Sequence, residues 1–224
     1  MPSADNMFLV SAAGLVGVFA EENTRESLVE AFMRKEVYAT SGPRIELRFC
    51  GGYGFSDSDL KAEDIAAVGY KKGVPMGGDL TGGKKPSFLI HVVKDPNEAN
   101  LDRVQVVKGW VDSQGKSHEK IYNVAWSDKR KLSKDGSLPA VGNTVDLQTG
   151  AVENSIGTAQ LSTVWSDPDF DPKRRAFYYL RALQIPTIRY SAMDAVALQM
   201  DVAKTGQPAT HQERAYSSPI WYTP

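Results

Sequence analysis

Two short clusters of polar residues stand at the ends of β-prone runs and could do chemistry together. Glu21, Glu22 and Asn23 follow the apolar run Gly14–Ala20. Ser41, Gly42 and Arg44 follow the β-prone run Val37–Thr40. Two adjacent carboxylates, an amide, a hydroxyl and a guanidinium would make a rim for an anionic or metal-bound ligand. Ligands of α/β folds usually meet the carboxyl ends of strands, and both clusters stand at such ends. The alternative is a helix cap with solvated charges, since short motifs match by chance.

The elements that would position these residues can be read locally. A small, apolar run such as GLVGVFA fits a strand buried on both faces, as in a parallel sheet. Asn23 suits a helix N-cap, and Glu26 three residues on completes a capping box. Leu28, Val29, Phe32 and Met33 recur at helical spacing, and Arg34 and Lys35 suit the end of a helix dipole. Gly42-Pro43 then stops the second strand. The spacing predicts a βαβ unit. Such a unit needs neighbouring strands, and few residues precede Gly14. The expectation is therefore a residual βαβ unit of a domain cut short, over residues 1–44, followed by a mostly β domain over 45–224; the resemblance named below implies that the cut domain is a truncated β/α barrel and the second an accessory domain. The fold class is α+β, mainly β, with an antiparallel β-sandwich-like second part.

Composition sets the outer bounds. The 224 residues are 42% hydrophobic and 24% charged, ordinary for a globular protein. A net charge of -1 offers no basic footprint for nucleic acid. No apolar run approaches the roughly 20 residues of a membrane helix, and residues 1–13 do not read as a signal peptide. The single cysteine, Cys50, sits in the β-like run Ile45–Cys50 and reads as a small buried residue.

Further along, Ser56–Asp59 resembles the opening of a calcium loop, but capping of a helix over Leu60–Ala67 fits better. The glycine-rich stretch Gly69–Lys85 lacks a following helix pattern and reads as turns rather than a phosphate loop. Phe88–Lys94, Leu101–Trp110 and His118–Trp126 read as strands, with a hairpin turn at Asp112–Lys116. Lys129–Lys134 reads as an exposed basic loop. Pro139–Val145, Val152–Ile156 and Ala159–Trp165 are further strand candidates. Asp167–Pro172 is an acidic loop that could hold a cation, though turn formation and capping suit its prolines better. Lys173–Ile185 alternates as a two-faced buried strand, Met193–Asp201 reads as a short helix, and the aromatic tail SSPIWYTP as an extended segment packing on a sheet edge or another domain. His91, His118 and His211 are scattered, and no Ser/His/Asp elbow or HExxH motif is present, so no metal site is expected in this chain.

The stretch GLVGVFAEENTRESLVEAFMRKEVYATSGPRIELRF, together with GYKKGVPMGGDL, VKDPNEANLDRVQVVKGW, TVWSDPDFDPKRRAFYYLRALQIPT and QERAYSSPIWYTP, resembles the domain-of-unknown-function family 3604. That family is similar to the polymerase-and-histidinol-phosphatase (PHP) type of metal-dependent phosphoesterase. The resemblance implies a larger protein, with a distorted β/α barrel upstream that binds divalent metals through His and Asp. Those HxH and DxH motifs are not in this chain. In that setting Glu21, Glu22, Asn23, Ser41 and Arg44 would line the rim of the metal site, with Arg44 pairing a phosphate-like oxyanion. The chain reads as the C-terminal fragment of a PHP-like hydrolase, non-catalytic alone, with the upstream barrel as partner and no cofactor of its own. The alternative is a structural or interaction β domain. A βαβ unit without its neighbours exposes apolar surface, which predicts homodimerisation.

Overall fold

The computed structural model describes residues 14–224, so the absence of a signal peptide at residues 1–13 lies outside what it describes. The protein is mainly β, with antiparallel sheets. In chain order the elements begin with β1 (Leu15–Val18), α1 (Arg25–Met33), β2 (Val37–Thr40), β3 (Glu46–Gly52), α2 (Ile65–Lys72), β4 (Gly73–Pro75), β5 (Asp79–Thr81) and β6 (Ser87–Val93). They continue with β7 (Leu101–Val111), β8 (Ser117–Trp126), β9 (Gln160–Ser166), β10 (Ala176–Gln184), β11 (Thr187–Ile188), α3 (Tyr190–Ala197), β12 (Thr210–His211), β13 (Arg214–Ser217) and β14 (Ile220–Thr223).

The large sheet is built around β10. Its buried positions, Ala176, Tyr178, Leu180, Ala182 and Gln184, alternate with half-exposed ones, the two-faced pattern read from the sequence. On one side β10 pairs with β7 along its whole length, and β7 pairs with β8 through the Asp112–Lys116 hairpin. On the other side the aromatic tail lies beside β10 in two pieces. There β14 pairs with Ala176–Tyr178 and β13 with Arg181–Leu183. The tail thus sits inside the sheet. Beyond it come β2 and β1 at one end and the parallel strand β5 at the other. A second sheet runs β4-β3-β6-β9.

Both sheets feed one buried cluster: Leu47, Phe49, Phe88 and Ile90 from one, Val104, Val106, Tyr178 and Leu180 from the other. Phe88 stacks on Phe49 at 5.3 Å between centroids and meets Tyr178 at 4.8 Å. Burying an aromatic or aliphatic side chain of this size stabilises by about 1.5–3 kcal/mol each. Cys50 is buried as expected, and burial pushes its thiol up to about 12. It packs under α2, where Gly69 lets the helix approach. A Cβ there would stand 2.6 Å from the Cys50 sulfur.

The N-terminal unit departs from expectation. β1 and β2 pair antiparallel, Leu15 against Thr40 and Val18 against Val37. The unit is therefore not a parallel βαβ crossover. α1 is short, and β2 turns straight back from its end at Lys35, a left-handed residue with φ 60°. Nor is β1 buried on both faces, since Leu15 and Val16 are exposed. Thr24, not Asn23, caps α1, its Oγ1 accepting from the Ser27 N–H at 3.3 Å. Arg34 is the C-cap rather than part of the last turn. The apolar stripe of α1 does not face a core: Val29, Phe32 and Met33 are exposed, and only Ala31 is fully buried. Because β2 is ladder-bonded to β13, the division at 44/45 does not separate the sheets.

Three smaller expectations shift. Ser56 caps a short 3-10 turn over Asp57–Lys61, and α2 begins later, capped by Asp64. Pro139–Val145 and Val152–Ile156 form no strands. Only Val145 and Val152 bridge, within a loop held by side-chain contacts such as Asn154 to the Asn100 N–H at 2.7 Å. In the basic stretch, Arg130 is half-buried and ion-paired with the buried Asp102 at 2.6 Å.

Candidate functional site

The antiparallel pairing decides where the sequence-predicted rim goes. Glu21, Glu22 and Asn23 leave β1 beside the start of β2, while Ser41 leaves β2 beside the start of β1. The two clusters are therefore separated by the strand length, roughly 14 Å at about 3.4 Å per residue. They line different cavities. Glu21 borders one of about 580 Å³ with Phe19, Arg34, Glu36, Arg48 and Tyr70. There the buried Glu36 accepts from Tyr70 Oη and from Arg34 at 3.3 Å, and the Arg48 guanidinium lies 4.1 Å over the Phe19 ring. Burial and the Glu36 bond push the Tyr70 phenol up to about 12. Glu22 and Asn23 are exposed, and the Glu22 N–H caps back onto the Ser27 hydroxyl at 3.2 Å.

Ser41 sits in a richer setting. Register pairs Thr40 with Ala215, which brings Ser41 beside Glu213 and Arg214. The Ser41 hydroxyl hydrogen-bonds the Glu213 carboxylate and accepts from the Arg214 N–H at 2.9 Å. The other Glu213 oxygen meets His211 Nε2 at 2.6 Å. His211 is held by β12, which pairs with β11. His211 ends β12 and Glu213 lies in the short link to β13, and the bond between them turns both side chains to the same side of that link. Burial opposes ionisation of Glu213. The hydrogen bonds from His211 and Ser41, with the nearby His211 and Arg214 charges, outweigh it and hold the carboxyl below its usual range.

This Ser41–Glu213–His211 chain stands between two adjoining clefts of about 450 and 430 Å³, which share Ser41, Ile188, Met193 and Glu213. Glu98 borders the first. Burial, then the Asp95 and Glu213 charges, push its carboxyl up. Arg189 and Arg214 border the second. Two carboxyls pushed in opposite directions beside one hydroxyl can divide proton donor and acceptor roles. Glu213, held ionised, is a weak base for Ser41. The chain therefore suits fixing a hydroxyl or a cation better than generating a nucleophile. Arg44 stands nearby but is tied through its backbone, whose N–H donates to Asp95 at 2.8 Å, and its side chain is exposed.

Among the described residues, no three His, Cys, Asp or Glu side chains converge on a point where a metal could sit. The acidic stretches are spent on other partners. Asp59 pairs with Lys72 at 2.6 Å, Asp167 with Lys108, and Asp169 with Lys120 and Tyr122.

A family model described as a protein of unknown function, DUF3604, matches residues 3–224. The chain belongs to that family. An uncharacterized protein of Chlamydia pneumoniae is 35% identical over 78 residues, a stretch that is 35% of this chain and 9% of that relative's length. No solved structure matches. No helix among the described residues is long and apolar enough to cross a membrane. The segment after β2 delivers Ser41 to Glu213. Sequence reasoning found Ser41 and missed Glu213, His211 and Glu98. The close spacing of His211 and Glu213 was the available signal.

Proposed function

We propose that this chain is the accessory β-sandwich part of a larger PHP-like, metal-dependent hydrolase, and that it shapes the mouth of a catalytic centre carried by other residues. The observation behind this reading is the Ser41–Glu213–His211 cleft, bordered by Arg189 and Arg214. It offers cations, a hydroxyl and a fixed carboxylate, but no set of metal ligands of its own. Guanidinium groups at such a mouth suit a phosphate-like oxyanion. The divalent metal would be held by a barrel in the same longer protein, where it would activate water. Here the chain's residues orient the anion and exclude water.

The test is metal content and bis-p-nitrophenyl phosphate turnover, measured on this chain and on a longer family member carrying HxH and DxH motifs. Metal and turnover in the longer protein alone support the reading. Turnover that survives Arg44→Ala together with Ser41→Ala in that protein removes the cleft from the site.

A second reading is an interaction domain without enzymatic role. It is favoured by the exposed apolar residues Leu15, Val16, Val29, Phe32 and Met33 on β1 and α1, which suit packing against the barrel or a second copy. A light-scattering mass of one chain would count against the homodimer.

A further inference from the structure

The outer face of the large sheet carries a groove that neither reading uses. Its floor follows from strand register. Trp221 pairs with Asp79 on β5 and with Phe177 on β10, Phe177 pairs with Gly109 on β7, and Gly109 with Glu119 on β8. One row across the sheet therefore reads acid, Trp, Phe, Gly, acid. Partners across a ladder point to the same face. The row is roughly 19 Å wide over four strand spacings of about 4.8 Å.

Each position in the row has a physical part. Gly109 lets the Phe177 ring lie down over the sheet, since a Cβ at 109 would stand 2.2 Å from that ring. Trp221 and Phe177 then meet at 5.2 Å and 50°, an open and shallow pair of rings rather than a closed cage. Trp221 is 44% exposed, unusually wet for a tryptophan. The cavity over this floor holds about 680 Å³ and has Arg175 at its rim. Asp79, Glu119 and Arg175 are exposed and form no ion pair among the described residues.

We propose that this groove binds a short, equatorially substituted oligosaccharide, with sugar rings laid on Trp221 and Phe177 and their hydroxyls bonded by Asp79, Glu119 and Arg175. Aromatic faces are electronegative and attract the C–H face of a pyranose. A mixed-sign rim of free acceptors and donors matches a hydroxyl array, which is neutral and both donates and accepts. The same carboxylates repel a phosphate backbone, which sets nucleic acid aside despite the stacking rings. The volume lies within the ordinary range for small-ligand sites.

The test is calorimetry and tryptophan fluorescence of the whole chain with cellohexaose, chitohexaose and xylohexaose, beside circular dichroism of each variant. At least one sugar is expected to quench fluorescence and release heat. Trp221→Ala should weaken it roughly tenfold or more with the fold retained, and Glu119→Gln should weaken it less. If Trp221→Ala disturbs the fold, Asp79→Asn takes its place and must weaken binding. Three silent sugars at millimolar concentration would overturn the proposal, as would binding indifferent to the variants. So would a dimer that Trp221→Ala dissociates, because the face would then be an interface between copies.

Discussion

Two carboxylates of this protein, each held in a hydrogen-bonded polar chain, differ in that Asp167 is sealed and Glu213 is open. Asp167 is fully buried. Lys108 pairs with it at 2.5 Å, the Tyr178 hydroxyl donates at 2.8 Å, and the Asp169 N–H donates to its second oxygen at 2.8 Å. The aromatic rings of Trp110 and Tyr178 stand around the ammonium at 5.3 and 5.8 Å. Burial and the Asp167 charge push the Tyr178 phenol far up, so it is a permanent donor. Glu213 has similar partners in kind, a hydroxyl and a cation-capable ring, but it borders two clefts. The difference is access to solvent. A sealed charge must be satisfied internally or the fold loses stability. An open one can exchange a protein partner for water or ligand at small cost. The first cluster is therefore read as structure and the second as site.

Substitutions can break or sharpen this contrast. The largest effect is expected at Lys108→Ala, which leaves Asp167 buried without its cation and should cost about 3 kcal/mol in urea unfolding. A loss below about 1 kcal/mol would mean that water reaches the pair and that both clusters are open. Next comes pH. The folded pKa of Glu213 lies below its unfolded value, so its contribution to stability is present above the unfolded pKa and is lost as pH falls through the folded one. Glu213→Gln should flatten that acid-side loss while leaving the neutral fold in place; an unchanged acid limb would show that the Ser41 and His211 bonds contribute no such linkage. The smallest effect is expected at Ser41→Ala, about 1 kcal/mol or less, because a half-exposed site rehydrates. A loss near that of Lys108→Ala would move Ser41 from the site to the scaffold.

The core strands were legible because their signals are local. Phe88–Lys94 and Ala176–Gln184 alternate or run apolar over seven or more residues, and the Asp112–Lys116 turn joins its strands directly. Boundaries at caps were less legible. Asn23 and Thr24 are both capping types, and only the position of the Ser27 N–H chooses between them. The candidate site was half legible. Ser41 stood out in a strand-ending turn, but Glu213 comes from 172 residues later, and nothing near either residue in the chain announces the contact. The acidic loop at Asp167–Asp171 was read as a turn, which holds for Asp171, paired locally with Arg174. The burial of Asp167 under Lys108 depends on a strand 59 residues earlier.

The sequence by itself determined that this chain is mainly β, where its central strands lie, that Cys50 is buried, and which turns and caps punctuate the chain. Each of these follows from periodicity and propensity within a few residues. Tertiary structure alone decided the sense of the β1–β2 pair. Strand–helix–strand sequences fit parallel and antiparallel pairing alike, and here the docking of β2 on β13 goes with the antiparallel one. That choice carried Glu21 to one cavity and Ser41 to another. Register across β5, β14, β10, β7 and β8 likewise gathered the aromatic groove from five separate segments. A ladder joins residues that are distant in sequence, and the pairing energy lies in contacts that no single segment contains.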